Sequence, residues 1–116
     1  MKPDLPKTPL STTPLPAGDS GILDEHTAAH VAELFRNFSD TSRVRILSAI
    51  INQELNVNSI AELVGISESA VSHHLRGLRQ MHLVQARREG KEVNYRLADS
   101  HIIALFRQGI DHINEK

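Results

Sequence analysis

The chain has 116 residues, about the size of a single domain, which leaves room for one hydrophobic core and no second domain. It has no cysteine, and this excludes disulfide bonds, thiolate catalysis and sulfur-rich metal sites, so any transition metal must be held by histidine and carboxylate. The net charge of −1 gives no overall attraction to nucleic acid, but residues 67–97 carry six Lys/Arg against three Asp/Glu, which makes this stretch basic.

The N-terminal residues 1–21 are predicted to form a flexible tail. They contain all five prolines, together with Ser, Thr and Gly, and too few large apolar side chains to offset the entropy of ordering. The chain shows neither the run of roughly 18 apolar residues that a membrane helix needs nor the basic-then-apolar order of a signal peptide. We therefore expect a cytoplasmic protein with no membrane partner, whose folded domain is residues 22–116.

Two helices are predicted to follow the tail. From Asp24 onward, apolar residues recur at three- and four-residue steps, which indicates a helix bearing Ala28, Val31, Ala32, Leu34, Phe35 and Phe38. The side-chain oxygens of Ser39, Asp40 or Thr41 can cap a second helix. That helix is expected to bear Val44, Ile46, Leu47, Ile50 and Ile51.

A short helix, a turn and a longer helix come next. The short helix is predicted over Ser59–Val64 and ends at Gly65, a residue type that tolerates positive φ. Ser67 then caps a helix that runs to about Gln80. Its apolar residues fall on one face, and the opposite face carries Ser69, Ser72, His73 and Arg76. This arrangement predicts a helix-turn-helix, whose second helix enters the major groove of DNA.

The last part of the chain is predicted to be a β-hairpin followed by a helix. Residues 83–88 and 93–97 favour strands and flank a charged tip, which is the pattern of a wing. Asp99 and Ser100 can cap a helix over about His101–Asn114, and apolar residues surround most of that helix. The predicted fold is mainly α with a small β-hairpin, a dimeric winged helix-turn-helix with the N- and C-terminal helices at the dimer interface.

The outer face of the longer helix is a candidate DNA-reading surface. Hydroxyl groups of Ser69 and Ser72 and the ring of His73 can hydrogen-bond base edges. Phosphates can be neutralised by cations that extend from this helix into the wing, namely Arg76, Arg87, Arg88 and Lys91. The same side chains can also be an ordinary solvated face, but the turn, the short preceding helix and the adjacent basic wing favour double-stranded DNA as a partner.

The last helix carries two pairs of metal-binding side chains. Asp99 and His101 flank its start, and His112 and Glu115 lie one turn apart near its end. The pairs cannot meet within one chain, since the two histidines are about 16 Å apart along the helix axis. An antiparallel second copy would build two sites, each with two nitrogen and two oxygen ligands. This ligand set suits tetrahedral zinc, and cobalt as its mimic. For an isolated helix, a solvated end with a capping aspartate is the simpler interpretation.

Two stretches resemble the hallmark segments of the ArsR/SmtB family of metal-responsive repressors. They are Phe38–Leu47 (FSDTSRVRIL) and Ile66–Leu78 (ISESAVSHHLRGL), and the likeness extends from about Val31 to Glu115. The resemblance implies a homodimer that binds operator DNA without metal and is released by a metal effector. It also implies that the second stretch is the recognition helix, with Ser69, Ser72 and His73 as contact residues.

The zinc-sensing branch of this family has Asp-x-His and then His-x-x-Glu or His-x-x-His on its last helix, and this chain matches that pattern. The resemblance therefore implies Asp99, His101, His112 and Glu115 as ligands of a zinc effector. In this family, a metal-bound histidine at the position of His112 donates to a backbone carbonyl just after the recognition helix. That position is His82 here, which gives this carbonyl an expected coupling role.

Other functions are less well supported by the sequence. Family members that sense soft metals place cysteine where this chain reads Leu55–Val57, so thiolate sensing of cadmium, lead or arsenite is excluded. A nickel- or cobalt-sensing repressor remains an alternative, because His26 and His30 or the tail can add ligands for six-coordination. A metal-dependent hydrolase is disfavoured, since the sequence offers no separate general base and no pocket-forming domain. A module that has lost DNA binding is disfavoured because the hydroxyl and arginine pattern is intact.

Overall fold

The computed structural model describes residues 21–115, so the predicted tail lies outside the described residues except for Gly21. The contacts divide the described residues into two compact units, one ending at Ala32 and the other beginning at Glu33. The described part of the first unit is residues 21–32, which include the beginning of the first helix. The second unit contains the end of that helix and all the elements that follow it.

The described residues form five helices and three strands in the order expected of a winged helix-turn-helix, which confirms the predicted fold class. They are α1 (Glu25–Arg36), α2 (Thr41–Ala49), β1 (Leu55–Asn56), α3 (Val57–Val64), α4 (Glu68–Gln80), β2 (Val84–Glu89), β3 (Glu92–Leu97) and α5 (Ser100–Asn114). None of the helices within residues 21–115 combines the length and the apolar character that crossing a bilayer requires.

Helix boundaries follow the caps more closely than the apolar periodicity. Asp40 is the N-cap of α2, where its side chain accepts a hydrogen bond of 3.1 Å from the amide of Arg43. The prediction extended α2 too far, because Ile50 and Ile51 lie beyond its end although Ile50 is buried. Phe38 likewise lies beyond the end of α1. Both errors have one cause: turn residues also pack on the core, so the apolar pattern continues past the last helical residue.

The helix-turn-helix agrees well with the sequence pattern. The prediction began α3 two residues late, because Asn56 caps it through a hydrogen bond from the amide of Ser59. Gly65 ends α3 at φ 80°, a left-handed conformation that suits glycine. Ser67 caps α4 as predicted, and α4 ends at Gln80.

The wing belongs to a three-stranded antiparallel sheet with strand order β1-β3-β2. The hairpin of β2 and β3 was predicted, and its register leaves Gly90 and Lys91 as a two-residue turn with Gly90 at φ 65°. The sequence analysis missed β1, which pairs Leu55 with Tyr95 and has two residues, too few to show a strand pattern. This strand ties the beginning of α3 to the wing.

The hydrophobic core lies between α2, α3 and α4, and the wing and α5 close it. Its fully buried members are Ile46, Leu47, Ile50, Ile60, Val71, Leu75, Leu78 and Leu83. From α5 only Phe106 is buried, whereas Ile110 and Ile113 remain exposed. The last helix therefore uses one part of its apolar surface within the chain and leaves another part uncovered.

Candidate nucleic-acid interface and metal ligands

Helix α4 divides cleanly into a buried face and an exposed face. Its cap, Ser67, accepts a hydrogen bond of 3.0 Å from the amide of Ala70. The apolar residues Val71, Leu75 and Leu78 are at most 1% exposed and anchor the helix on the core. The predicted reading residues all lie on the exposed side: Ser69, Ser72, His73 and Arg76. Their side chains are available to a ligand that approaches α4 from solvent.

An open groove of about 470 Å³ lies between α4 and the wing. It is lined by Ser72, Leu75, Arg76, Arg79, Gln80 and Tyr95. Arg79 and Tyr95 were not among the predicted site residues. Arg79 has a sequence signal, since it follows Arg76 by one helical turn, whereas Tyr95 enters the groove through the fold of the hairpin. The groove joins α4 and the wing into one surface.

The wing arginines differ in their partners. Arg87 pairs with Glu54 at 2.7 Å and with Glu89 at 3.4 Å, and Arg96 lies 3.7 Å from the same Glu54 carboxylate. The hydrogen bond from Arg87 is the main cause that lowers the pKa of Glu54, and the same bond raises the pKa of Arg87. Arg87, predicted as a phosphate contact, is thus largely neutralised within the chain.

Four other cations of this surface keep their charge free. Within residues 21–115, no side chain forms an ion pair or hydrogen bond with the side chains of Arg76, Arg79, Arg88 or Lys91. All four residues are exposed, on α4, on β2 and at the hairpin turn. Unpaired, exposed guanidinium and ammonium groups are the side chains that neutralise phosphates.

Asp99 and His101 lie together at the start of α5. Asp99 is the N-cap, and its Oδ1 accepts a hydrogen bond of 3.1 Å from the amide of Ile102. The Nδ1 atom of His101 is 3.4 Å from the same oxygen, and the His101 side chain is 88% exposed. The capping role of Asp99 occupies one carboxylate oxygen, so the other oxygen and the imidazole remain accessible.

His112 and Glu115 lie at the other end of α5. His112 is in the last turn, and Glu115 follows the helix with its amide still bonded to the carbonyl of Asp111 at 3.0 Å. Both residues are exposed. Within the described residues of one chain, no three His, Asp or Glu side chains converge on a possible metal site. The two predicted ligand pairs thus stay apart in a single copy.

His82 has an unusual backbone at the junction of α4 and β2. It is the one non-glycine residue of the described range with positive φ, at 58°. Its amide donates a hydrogen bond of 2.9 Å to the carbonyl of Arg79. The amide of the next residue, Leu83, donates one of 2.9 Å to the carbonyl of Leu78. No described residue donates a hydrogen bond to the His82 carbonyl itself. That acceptor is free for a donor from outside the chain.

An apolar groove of about 470 Å³ runs between the end of α1, the start of α2 and α5. It is lined by Phe35, Phe38, Val44, Leu105, Phe106, Gly109, Ile110, Ile113 and Asn114. Three of its large apolar side chains are well exposed, with Phe35 at 52%, Ile110 at 42% and Ile113 at 79%. Such a contiguous exposed apolar surface is typical of a protein interface.

Two further predictions concern other metal chemistries. The rings of His26 and His30 lie on one side of α1 with centroids 4.5 Å apart, as their spacing requires. At the position where soft-metal sensors place cysteine, Leu55 and Val57 instead pack on the hydrophobic core. The structure gives this segment a packing role.

The sequence is similar to those of known transcription regulators. Residues 40–86 match the family model described as "Bacterial regulatory protein, arsR family". A transcriptional repressor SmtB homolog from Synechocystis sp. is 48% identical over 81% of this chain and 71% of its own length. The transcriptional regulator NmtR from Mycobacterium tuberculosis is 40% identical over 80% of this chain and 78% of its own length. A cadmium resistance transcriptional regulatory protein CadC homolog from Staphylococcus aureus is 36% identical over 73% of this chain and 71% of its own length.

Solved structures of similar proteins have the same fold. HlyU from Vibrio cholerae superimposes with a TM-score of 0.70 at 27% identity, over 78% of this chain and 98% of its own. A homodimeric winged helix-turn-helix DNA-binding domain from Mycobacterium bovis superimposes with a TM-score of 0.66 at 27% identity, over 80% of this chain and 95% of its own. These likenesses agree with the element order described above.

Proposed function

Because this chain belongs to the ArsR/SmtB family of metal-responsive transcriptional repressors, we propose that it binds operator DNA as a metal-free homodimer and releases the DNA when zinc binds between two copies of α5. The protein is a DNA-binding regulator of transcription and not an enzyme. The observation that carries the proposal is the layout of α5. It has an exposed ligand pair at each end, and beside them an apolar groove that one chain leaves open.

The DNA-reading part of the proposal assigns base contacts to α4 and phosphate contacts to its surroundings. Ser69, Ser72 and His73 are exposed hydrogen-bonding groups on the face opposite the core, as a helix in the major groove needs. The unpaired cations on α4 and the wing supply the phosphate contacts, and Arg79 joins the predicted set. Arg87 contributes less free charge, because a phosphate has to compete with Glu54 for its guanidinium.

A second copy of the chain is the proposed occupant of the apolar groove. Burial of the exposed Phe35, Ile110 and Ile113 side chains would stabilise a dimer through the hydrophobic effect. The winged helix-turn-helix domain from M. bovis has the same fold and is homodimeric, which supports dimerisation. A twofold axis also repeats α4, and this is what a pseudo-palindromic operator with half-sites one DNA turn apart requires.

The proposed zinc sites join the two ends of α5 across that axis. Asp99 and His101 of one protomer would meet His112 and Glu115 of the other, which makes two nitrogen and two oxygen ligands per site. The donor set fits zinc, since imidazole and carboxylate are ordinary zinc ligands and the chain has no thiolate. The separation of the pairs in one chain agrees with a site that exists only in the dimer, and so metal occupancy would respond to dimer geometry.

The proposed coupling route runs from His112 to the carbonyl of His82. A metal-bound histidine usually donates its second ring N–H to a nearby carbonyl or carboxylate. The His82 carbonyl has no donor among the described residues and lies at the end of α4, where the left-handed backbone turns the chain into the wing. A hydrogen bond at this position would link zinc ligation to the orientation of the reading helix.

A titration of operator complexes tests the proposal. Fluorescence anisotropy should show that the chelator-treated protein prefers the promoter fragment beside its own gene over scrambled DNA, and that zinc weakens this binding about 5- to 150-fold. His101→Ala should bind the promoter but lose the zinc response. His30→Ala, a matched substitution of an exposed histidine, should keep it. Equal affinity of the metal-free protein for promoter and scrambled DNA would refute the proposal.

The cobalt-loaded protein distinguishes zinc sensing from the nickel or cobalt alternative. Four-coordinate cobalt gives intense visible bands, whereas six-coordinate cobalt gives weak ones. A tetrahedral spectrum that disappears in His112→Ala supports the zinc site. A six-coordinate spectrum that changes in His26→Ala or His30→Ala would support the alternative.

A further inference from the structure

Arg43 of α2 connects three elements through one guanidinium group. Its Nη1 donates a hydrogen bond to Oδ1 of Asn37, the residue after α1, and its Nε donates to Nδ1 of His74 on α4 at 3.1 Å. The third neighbour is Gly77 of α4. We call Arg43, Asn37, His74 and Gly77 the Arg43 cluster.

The guanidinium lies against the backbone of α4 at Gly77. A Cβ atom at this position would be 2.8 Å from Nη2 of Arg43, closer than real Cβ contacts come, and 3.2 Å from its Cζ, so the guanidinium would have to shift. Glycine is a poor helix former, and φ at Gly77 is not positive, so the backbone conformation does not require it. The close approach of Arg43 gives a packing reason for a glycine in the middle of the reading helix.

The cluster satisfies the hydrogen bonds of a buried amide. Among residues 21–115, Asn37 is the only buried polar side chain, and its Nδ2 donates to the carbonyl of Glu33 at 2.9 Å while its Oδ1 accepts from Arg43. A buried amide that lost its donor would be costly, which favours one fixed position of the guanidinium. That position in turn orients His74, the residue next to the proposed base contact His73.

We propose that Arg43 is a positioning residue for operator recognition, which fixes α4 against α2 through its hydrogen bond to neutral His74, and that protonation of His74 releases this contact. The inference rests on the proposed reading of DNA by α4. A neutral imidazole accepts a hydrogen bond at Nδ1 when its proton is on Nε2, whereas a doubly protonated ring has two donors and no acceptor. Protonated His74 would also place its charge beside the positive guanidinium of Arg43.

The surroundings of His74 favour its neutral form. Burial is the largest cause that lowers the pKa of His74 below its ordinary value, and the positive charges of Arg43 and His73 act in the same direction. Asp40, at the start of α2, opposes them. Asn37, the residue of the cluster that follows α1, is uncharged. His74 is therefore neutral near pH 7, and acid is needed to break its bond to Arg43.

A pH profile of operator affinity tests this role. The metal-free wild type, His74→Gln and His30→Gln are compared by fluorescence anisotropy between about pH 7.5 and 5.5 in the presence of chelator. Glutamine offers a side-chain oxygen that accepts from Arg43 at every pH. The wild type and His30→Gln should lose affinity relative to His74→Gln on acidification. Below the pKa of His74, this ratio of affinities should change by at most about tenfold per pH unit. The five histidines that all three proteins share charge alike in each, and their contribution cancels in the ratio.

Two further measurements keep the inference separate from the proposed function. In the free protein, nitrogen NMR of the imidazoles should show His74 with Nδ1 unprotonated at neutral pH, a readout that needs no DNA. Gly77→Ala displaces the guanidinium, so it should retain the helical circular dichroism of the wild type, bind the operator more weakly and lose the pH difference. A protonated Nδ1 in neutral His74, or parallel pH profiles of the wild type and His74→Gln, would overturn the role of Arg43. Absence of operator preference in the wild type would instead refute the proposed function.

Discussion

The guanidinium of Arg87 lies 2.7 Å from the carboxylate of Glu54, while the next residue, Arg88, has no carboxylate partner among the described residues. Successive side chains of a strand point to opposite faces of the sheet. The register pairs Ala86 with Tyr95, so Arg88 shares the face of Tyr95, which lines the groove beside α4. Arg87 lies on the other face with Glu54. Two adjacent arginines therefore differ in the charge that they can offer to DNA.

This difference predicts unequal effects of two alanine substitutions on the salt dependence of operator binding. Each lost phosphate contact lowers the slope of log affinity against log salt by about 0.9, so Arg88→Ala should lower it by about 1.8 in a dimer. Arg87→Ala should lower it less, because Arg87 has to leave Glu54 to reach a phosphate. Anisotropy titrations at several salt concentrations measure both slopes. A larger loss for Arg87→Ala would show that the Glu54 pair opens in the complex.

The same ion pair predicts a pH dependence of stability. The hydrogen bond from Arg87 lowers the pKa of Glu54 below its ordinary value of 4.5. A carboxylate with a lowered pKa contributes stability that is fully present above the ordinary pKa and is lost as pH falls through the folded-state pKa. Glu54→Gln should thus destabilise the protein slightly at neutral pH, and the difference from wild type should shrink below about pH 4.5. Urea denaturation at several pH values checks this, and a difference that stays constant would contradict it.

Gly65 should be sensitive to substitution for a conformational reason and not a steric one. Its φ is 80°, and a Cβ at this position would meet no atom within 4 Å. Gly65→Ala should lower the free energy of unfolding by about 1 to 2 kcal/mol, the cost of a left-handed conformation for an ordinary residue. Gly65→Asn should lose less, since asparagine tolerates this conformation better. Urea denaturation compares the two variants, and equal losses would point to a cause other than backbone strain.

A charge in the apolar groove should separate the protomers without unfolding them. Ile113 is 79% exposed in the single chain, so Ile113→Glu removes little of the core but would bury a carboxylate in a dimer. We expect a folded monomer by sedimentation, with much weaker operator binding. Leu63→Glu is the matched control, because Leu63 is 60% exposed on α3 and does not line the groove. A dimeric Ile113→Glu protein would place the interface elsewhere.

The proposed coupling predicts different outcomes for two ligand substitutions. Glu115 lies at the free end of α5, so Glu115→Gln should weaken zinc binding yet still release the operator once the sites are saturated. A substitution at His112 that keeps zinc bound should lose regulation, because it removes the donor to the carbonyl of His82. Zinc titrations of both operator complexes measure whether each variant still releases the DNA. Normal regulation in such a His112 variant would show that coupling uses another contact.

The amino-acid sequence alone determined the features that depend on local interactions. The cap Ser67, the glycine that ends α3 and the hairpin were predicted, and Asp40 was one of three candidate caps of α2, because a cap or a two-residue turn needs only neighbouring residues. The apolar periodicity also identified the core face of α4. Spacing also identified which residues share the exposed face of α4 and which polar side chains lie together at each end of α5, since a helix fixes which residues share a face. Their roles in reading DNA and binding metal stay predictions.

Only the tertiary structure decided which of these residues pair with one another. Arg43 and His74 are 31 positions apart, and Arg87 and Glu54 are 33 apart, so no periodic pattern joins them. Strand β1 has two residues and exists because β3 offers it an edge. Each of these contacts forms when the core brings distant segments together, and its partners are set by three-dimensional packing. This is why sequence spacing treats Arg87 and Arg88 alike, while the fold neutralises one and leaves the other free.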